Sequence, residues 1–336
     1  MMNYLNFLIF GNSEILESQK NSTMQLAFAQ GTFKNLQVQW KTFQVFCDEV
    51  SDVSFPVQLS DLLVYMQYLS NKMKAPQTVS NYVNGLRILH VMGDHNTDVF
   101  YSLEAKLLLR AIRRSKLHRV KQAAPITVEI LLRLANVVDF SDPEQQVIWT
   151  AILIMFFAML RSSNLVPKSQ STFDSDKQLC KKDVILSSDI MVIAIRWSKV
   201  IQFAQREFHI PVFAIEGSRL CPVSAVSCLL ENTKNSKSQS LFVVPCKKSK
   251  FVQLTYGRVS LFMKKWVADI GLDASKFSLH SLRRGSASLA FKAHVPGELI
   301  KTLGDWSSDA YLRYLDISVN QRCEVAQAIR DSVSSL

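Results

Sequence analysis

The sequence predicts a mainly α-helical protein of two domains, with one small antiparallel β-sheet in the second. Three observations lead there. A chain of 336 residues is longer than a single core usually serves. Apolar residues recur at three- and four-residue steps through most of it, as amphipathic helices require. Only between residues 189 and 213 does the period fall to two, the spacing of a half-buried strand.

Residues 1–22 read as a leader that can be disordered. Its first residues are apolar but lack a basic n-region and a small-residue cleavage site, so it does not read as a signal peptide. Residues 23–122 read as a helical domain. From Thr32 to Val50, the residues Phe33, Leu36, Trp40, Phe43 and Cys47 form one stripe. Ser60-Asp61 suits the cap of a helix through Leu62, Leu63, Met66 and Leu69. Pro76 opens another, with Val79, Tyr82, Val83, Leu86 and Leu89 inward. A fourth is expected from Leu103 to Val120, with Leu107, Leu108, Leu109 and Ile112 on its apolar side.

Ala123-Ala124-Pro125-Ile126 marks a boundary, because the residue before a proline resists the α conformation. Residues 125–336 then read as the second domain. Thr127 caps a helix through Leu131, Leu132 and Leu134, and Asp142-Pro143 starts a buried one from Glu144 to Leu160. The alternating run Ile190–Trp197 and the later Phe208–Phe213 predict a strand pair, in which Pro211 confines the second strand to an edge or a bulge. Pro222–Leu230 and Arg258–Ile270 read as further helices, and Asn232–Ser240 as a polar loop.

Composition narrows the function classes. The net charge of +11 suits an anionic partner, nucleic acid or acidic membrane. Residues 1–100 carry six Lys/Arg against eight Asp/Glu, whereas 101–124 carry seven against one. That run, Lys106, Arg110, Arg113, Arg114, Lys116, Arg119 and Lys121, is either a solvated helix face or a phosphate-tracking connector between the domains. No stretch approaches the roughly 18 apolar residues of a membrane span. Residues 147–160 come closest, and Arg161 closes them, so a soluble protein without membrane contact is expected. The six cysteines show no C-x-x-C and no zinc-like Cys/His spacing, which points to reduced thiols inside a cell and to no metal site.

The chemistry concentrates near the C-terminus. His280-Ser-Leu-Arg283 puts an imidazole and a guanidinium one helical turn apart on one face. The small residues Gly285, Ser286, Ala287 and Ser288 behind them allow close backbone packing. Then comes Leu-Gly-Asp305-Trp306-Ser-Ser-Asp-Ala-Tyr311-Leu-Arg-Tyr314. Upstream, Arg161 ends an apolar helix, where an arginine must meet an anion or reach water. Lys199 lies at the turn end of the first strand. Taken singly, each is as well read as an ordinary surface or helix-end residue.

Their order, Arg161, Lys199, His280-x-x-Arg283, Trp306, Tyr314, resembles the tyrosine recombinase (phage-integrase) family over roughly 145–316, and more loosely over 25–120. The phrase running to Tyr314 looks most like integrases of eukaryotic crypton and DIRS-type mobile elements. The resemblance implies a helical core-binding domain and a mixed α/β catalytic domain that clamp double-stranded DNA, acting as a homodimer or homotetramer on it. Tyr314 would attack the scissile phosphate to give a 3′-phosphotyrosine. Arg161 and Arg283 would hold the non-bridging oxygens, Lys199 would protonate the leaving 5′ oxygen, and His280 would orient the phosphate and assist proton transfer. No cofactor, metal or ATP is implied, and the location would be nuclear. Residues 317–336 are a candidate for exchange between subunits.

Two positions depart from the family pattern. Asp305 stands where His or Trp usually follows Leu-Gly, and Trp306 comes next, either to hydrogen-bond phosphate or to pack beneath the helix. Asn164 stands where an acid often follows the first arginine, which bears on the tuning of His280. Tyr311 is either core or a minor competitor of Tyr314. Two other readings fit the same residues: a silent DNA-binding protein that retains this fold, and a type IB topoisomerase.

Overall fold

The helical periodicities on either side of residue 122 fold as two units, residues 1–121 and 122–336. The structure is a computed structural model and describes residues 26–50, 53–118, 122–198, 208–246 and 250–313, with isolated positions before and after. The expectations for Arg119, Lys121, Lys199, Tyr314 and most of 1–22 and 317–336 lie outside the described residues.

In the first unit, α1 (Gln30–Glu49), α2 (Leu59–Lys72), α3 (Pro76–Met92) and α4 (Leu103–Ser115) enclose one core. Phe43, Phe46, Leu62, Tyr65, Met66, Leu69, Val79 and Leu86 are all buried there. Each such side chain contributes about 1.5–3 kcal/mol. Two boundaries differ from the sequence reading. Helix α2 starts at Leu59 without a side-chain cap, so Ser60 and Asp61 lie in its first turn, where the carboxylate suits the helix dipole. Helix α4 stops at Ser115 rather than Val120, because Ile112 is the last residue it buries. Leu107, expected inward, is half-exposed, while Ala105 is buried in its stead.

His90 sits within that core, fully buried. Its Nε2 accepts from the Val57 amide at 2.9 Å, so Nδ1, 2.9 Å from the Leu86 carbonyl, carries the proton and donates. Burial, with a smaller push from His95, holds its pKa below the usual imidazole value, against the opposing effect of the Leu86 bond. As pH falls below about 6.5, the unfolded chain takes up a proton at this residue before the folded chain does. The stability this neutral histidine contributes is therefore complete above that pH and declines below it. The unfolding midpoint of the first unit should drop between pH 7 and pH 5, with a shallower slope in His90→Gln. Equal slopes would show that other groups govern the loss.

In the second unit, α5 (Val128–Ala135) is capped by the Thr127 hydroxyl, which accepts from the Ile130 amide at 3.3 Å. Helix α6 (Pro143–Phe157) is capped by Asp142, which accepts from the Glu144 amide at 2.9 Å. Every residue of α6 from Val147 to Phe156 is buried, as expected of a helix apolar on all sides. A short α7 (Ser162–Leu165) follows. The strand pair is present as β2 (Ile190–Ile195) and β3 (Phe208–Phe213), antiparallel with Val192 opposite Pro211. Met191, Ile193 and Ile195 face the core, and β3 is an edge strand, which accommodates Pro211.

A third strand, β1 (Val184–Leu186), completes that sheet, and a separate hairpin pairs β4 (Val243–Cys246) with β5 (Lys250–Gln253). Strands of three and four residues are too short to show an alternation in sequence. Helices α8 (Pro222–Asn232), α9 (Tyr256–Asp269), α10 (Leu279–Lys292) and α11 (Gly297–Leu303) complete the unit. Among the described residues no helix is long and apolar enough to cross a membrane.

Candidate active site

Arg161 does not end the long helix. Helix α6 stops at Phe157, and Met159 adopts a left-handed conformation, φ +49°, with its amide bonded to the Phe156 carbonyl at 3.2 Å. Arg161 is extended (φ −75°, ψ 143°) and precedes α7. A methionine in the left-handed region carries no signature in sequence, whereas a glycine would have announced the stop.

Helix α10 presents His280 and Arg283. Its start is fixed by a capping box in which Ser278 and Ser281 bond each other's amides; the Ser278 amide reaches Ser281 Oγ at 3.0 Å. The segment after the domain boundary runs along this helix, with the Ile126 amide bonded to the Ser281 carbonyl at 2.9 Å. Gly285 makes that approach feasible. A Cβ there would lie 1.7 Å from the Ile126 carbonyl oxygen.

Arg283 is almost wholly buried, 2% exposed. Its Nη1 donates to the Met159 carbonyl at 2.8 Å and its Nη2 to the Gly304 carbonyl. The guanidinium lies 4.0 Å from the centroid of the Trp306 ring. The left-handed turn at Met159 thus supplies one of its anchors.

The turn after α11 supplies another. The Trp306 amide bonds the Lys301 carbonyl and the Asp305 amide the Thr302 carbonyl, both at 3.0 Å, with Asp305 left-handed at φ +49°. This is the Schellman ending of a helix, here with aspartate where glycine is commonest. Gly304 must stay bare because Trp306 packs on it; a Cβ would sit 1.8 Å from the indole. Arg161 reaches the same turn. Its Nη2 donates to the Asp305 carbonyl at 3.1 Å, and its Nη1 lies 3.3 Å from the Asp305 carboxylate. Two guanidiniums from separate elements therefore bind consecutive carbonyls, those of Gly304 and Asp305.

His280 stands beside them, exposed by surface area yet crowded by protein around its ring. Desolvation, then the charges of Arg283 and Arg161, hold its pKa below the usual imidazole value. The ring is thereby kept neutral, with a nitrogen lone pair available, although both arginine charges weaken it as a base.

Trp306 and Tyr311 are both buried, with ring centroids 6.1 Å apart, and the Tyr311 hydroxyl lies against Gly297. Asn164 is buried and donates from Nδ2 to the Trp197 carbonyl at 2.7 Å. It ties the helix after Arg161 to the strand end two residues before Lys199. Arg196 pins the same strand end, donating to Asp183 at 2.6 Å and to the Ser175 carbonyl at 2.7 Å. Neither tether is legible in sequence, since each joins distant segments.

In the first unit Lys106, Arg110, Arg113 and Arg114 are exposed on α4, with Arg110 four residues after Lys106 and the adjacent Arg113 and Arg114 three and four residues after Arg110. Lys116 is placed differently. It is half-buried, and its Nζ donates to the Met73 carbonyl at 2.6 Å and to the Ser70 carbonyl, closing the C-terminal end of α2.

No family model matches the chain. It is 25% identical over 295 residues to an integrase/recombinase xerD homolog of Selenomonas ruminantium, covering 85% of this chain and 82% of that protein. Among solved structures, XerH site-specific recombinase bound to palindromic difH substrate superposes with a TM-score of 0.58 at 16% identity, covering 90% of this chain and 79% of that one. The Tn1549 transposon integrase in complex with transposon right end DNA gives 0.56 at 15% identity, covering 87% and 93%. The chain has the tyrosine-recombinase fold. A lambda integrase dimer bound to a COC′ core site agrees, at a TM-score of 0.51 and 15% identity over 90% and 94%. The expected fold class, mainly helical with a small antiparallel sheet, is thereby borne out. Within this fold Arg161, His280 and Arg283 come together, although 122 residues separate Arg161 from Arg283 in the sequence. Among the described residues no group of His, Cys, Asp or Glu is arranged to hold a metal ion.

Proposed function

We propose that this chain is a tyrosine recombinase that breaks and rejoins double-stranded DNA, assembling on it as a dimer or tetramer. The observation that carries this reading is the convergence of Arg161 and Arg283 on the Gly304–Asp305 turn, with His280 beside them. Two fixed guanidiniums match the non-bridging oxygens of a phosphodiester and counter the charge that builds there. The Tyr314 oxygen attacks phosphorus as the bond to the 5′ oxygen breaks. His280 accepts the phenolic proton, and Lys199 gives one to the departing oxygen. The phosphotyrosine retains the bond energy, so a 5′-hydroxyl can reseal the strand.

The finer placing, among integrases of crypton and DIRS-type elements in a nucleus, rests on the phrase from Leu303 to Tyr314. The DNA-bound states of XerH, the Tn1549 integrase and lambda integrase support double-stranded DNA as partner. A silent DNA-binding protein is the second reading, favoured by the carboxylate already seated on Arg161. Trapping on nicked suicide duplexes drawn from the termini of the element separates the two. A covalent protein–DNA adduct is expected, and its absence on every terminus would leave the silent reading.

The exposed stripe on α4 supplies phosphate contacts that do not read sequence. Reversing Arg110, Arg113 and Arg114 to glutamate should weaken binding to all duplexes and flatten its salt dependence. Lys116 is left intact because it closes α2. An unchanged salt slope would reduce the stripe to a solvated face.

A further inference from the structure

We propose that Asp305 is a resident anion in the phosphate seat: its carboxylate occupies Arg161 until an incoming phosphate displaces it. The inference rests on the recombinase reading only for the identity of that phosphate as part of DNA.

Asp305 offers Arg161 two different acceptors, its side-chain carboxylate and its own main-chain carbonyl. Only the first is removable by rotating a side chain. The second belongs to the helix-ending turn and stays in place. The guanidinium therefore keeps its position while one of its donors is released.

Backbone conformation does not account for the charge. A left-handed residue after α11 favours Gly, Asn or Asp, and of these only aspartate brings an anion. The side chains of Arg161 and Asp305 are 19% and 10% exposed, so the pair is largely removed from water but keeps an open edge. An arginine so placed needs an anion when no phosphate is present. Once a phosphate arrives, the carboxylate becomes a like charge only a few ångströms away, and repulsion expels it. Exchange of one anion for another satisfies the arginine in both states, at the cost of weaker phosphate binding.

The test uses the full chain and inorganic sulfate as the tetrahedral anion, at ionic strength held constant with chloride. Binding is read from the Arg161 Nε–H resonance and from the thermal midpoint. Asp305→Asn preserves the turn and should bind sulfate about tenfold more tightly than wild type, or more, the scale of one charge-assisted hydrogen bond. Adding Arg161→Gln to that variant should remove the gain. Should Asp305→Asn fold poorly, Asp305→Gly also suits the left-handed position and carries the same expectation. Equal sulfate affinity of wild type and Asp305→Asn overturns the proposal, as does a gain that survives the loss of Arg161. Sulfate exchange without any DNA adduct would keep this inference and defeat the enzyme. Adduct formation with no sulfate difference would do the reverse.

Discussion

Tyr314→Phe is expected to bind duplex DNA as tightly as wild type and to form no covalent adduct. The substitution removes one oxygen, the atom that would bond to phosphorus, and nothing else. Tyr311→Phe is the control, because Tyr311 is buried against Trp306 and its hydroxyl lies against Gly297, in a packing role. Its adduct should persist. Peptide mapping of trapped wild-type complex should place the DNA on the peptide containing Tyr314. Adduct that survives Tyr314→Phe and vanishes in Tyr311→Phe would move the nucleophile by three residues along the chain.

The second large effect is expected from Gly285→Ala. The added methyl would lie 1.7 Å from the Ile126 oxygen, 2.7 Å from the Ile126 carbonyl carbon and 3.1 Å from the Phe156 ring. Two of these neighbours are backbone, so no rotamer change relieves the clash. Helix α10 must move away from the segment at Ile126, breaking the bond from the Ile126 amide to the Ser281 carbonyl. Overpacking of this kind costs about 3 kcal/mol or more. Because the same helix carries His280 and Arg283, cleavage should fall together with stability. Gly257→Ala, in open space near the start of α9, should leave the unfolding midpoint close to that of wild type. A Gly285→Ala protein as stable as wild type would mean the two segments are less closely packed than described.

How much of this was legible in the chain differs from one residue to the next. The long helices announced themselves through Phe43, Val79 or Leu131, because burying a stripe imposes a period. The caps at Thr127 and Asp142 and the tight packing at Gly285 were readable for a similar local reason. The end of α6 was not, since Met159 takes a conformation its side chain does not advertise. Pairings that join remote segments were equally silent. Nothing near Asn164 points to the Trp197 carbonyl, and nothing near Arg161 points to Asp305, 144 residues away. Lys116 looked like its basic neighbours, and only the nearby end of α2 sets it apart.

The seat of Arg283 has a consequence for how this protein tolerates change over many generations. Among the described residues, two of its acceptors are main-chain carbonyls, those of Met159 and Gly304. Every amino acid carries that oxygen, so the side chain at position 159 can drift without removing the anchor. A gained or lost residue in either turn is another matter, because it swings the carbonyl away from the guanidinium. The anchor is thus independent of side-chain chemistry at 159, where burial and a left-handed backbone set the limits instead, and it is intolerant of insertion or deletion in these two turns. Relatives that keep the chemistry should hold the length of both turns constant and keep a glycine at the position of Gly304.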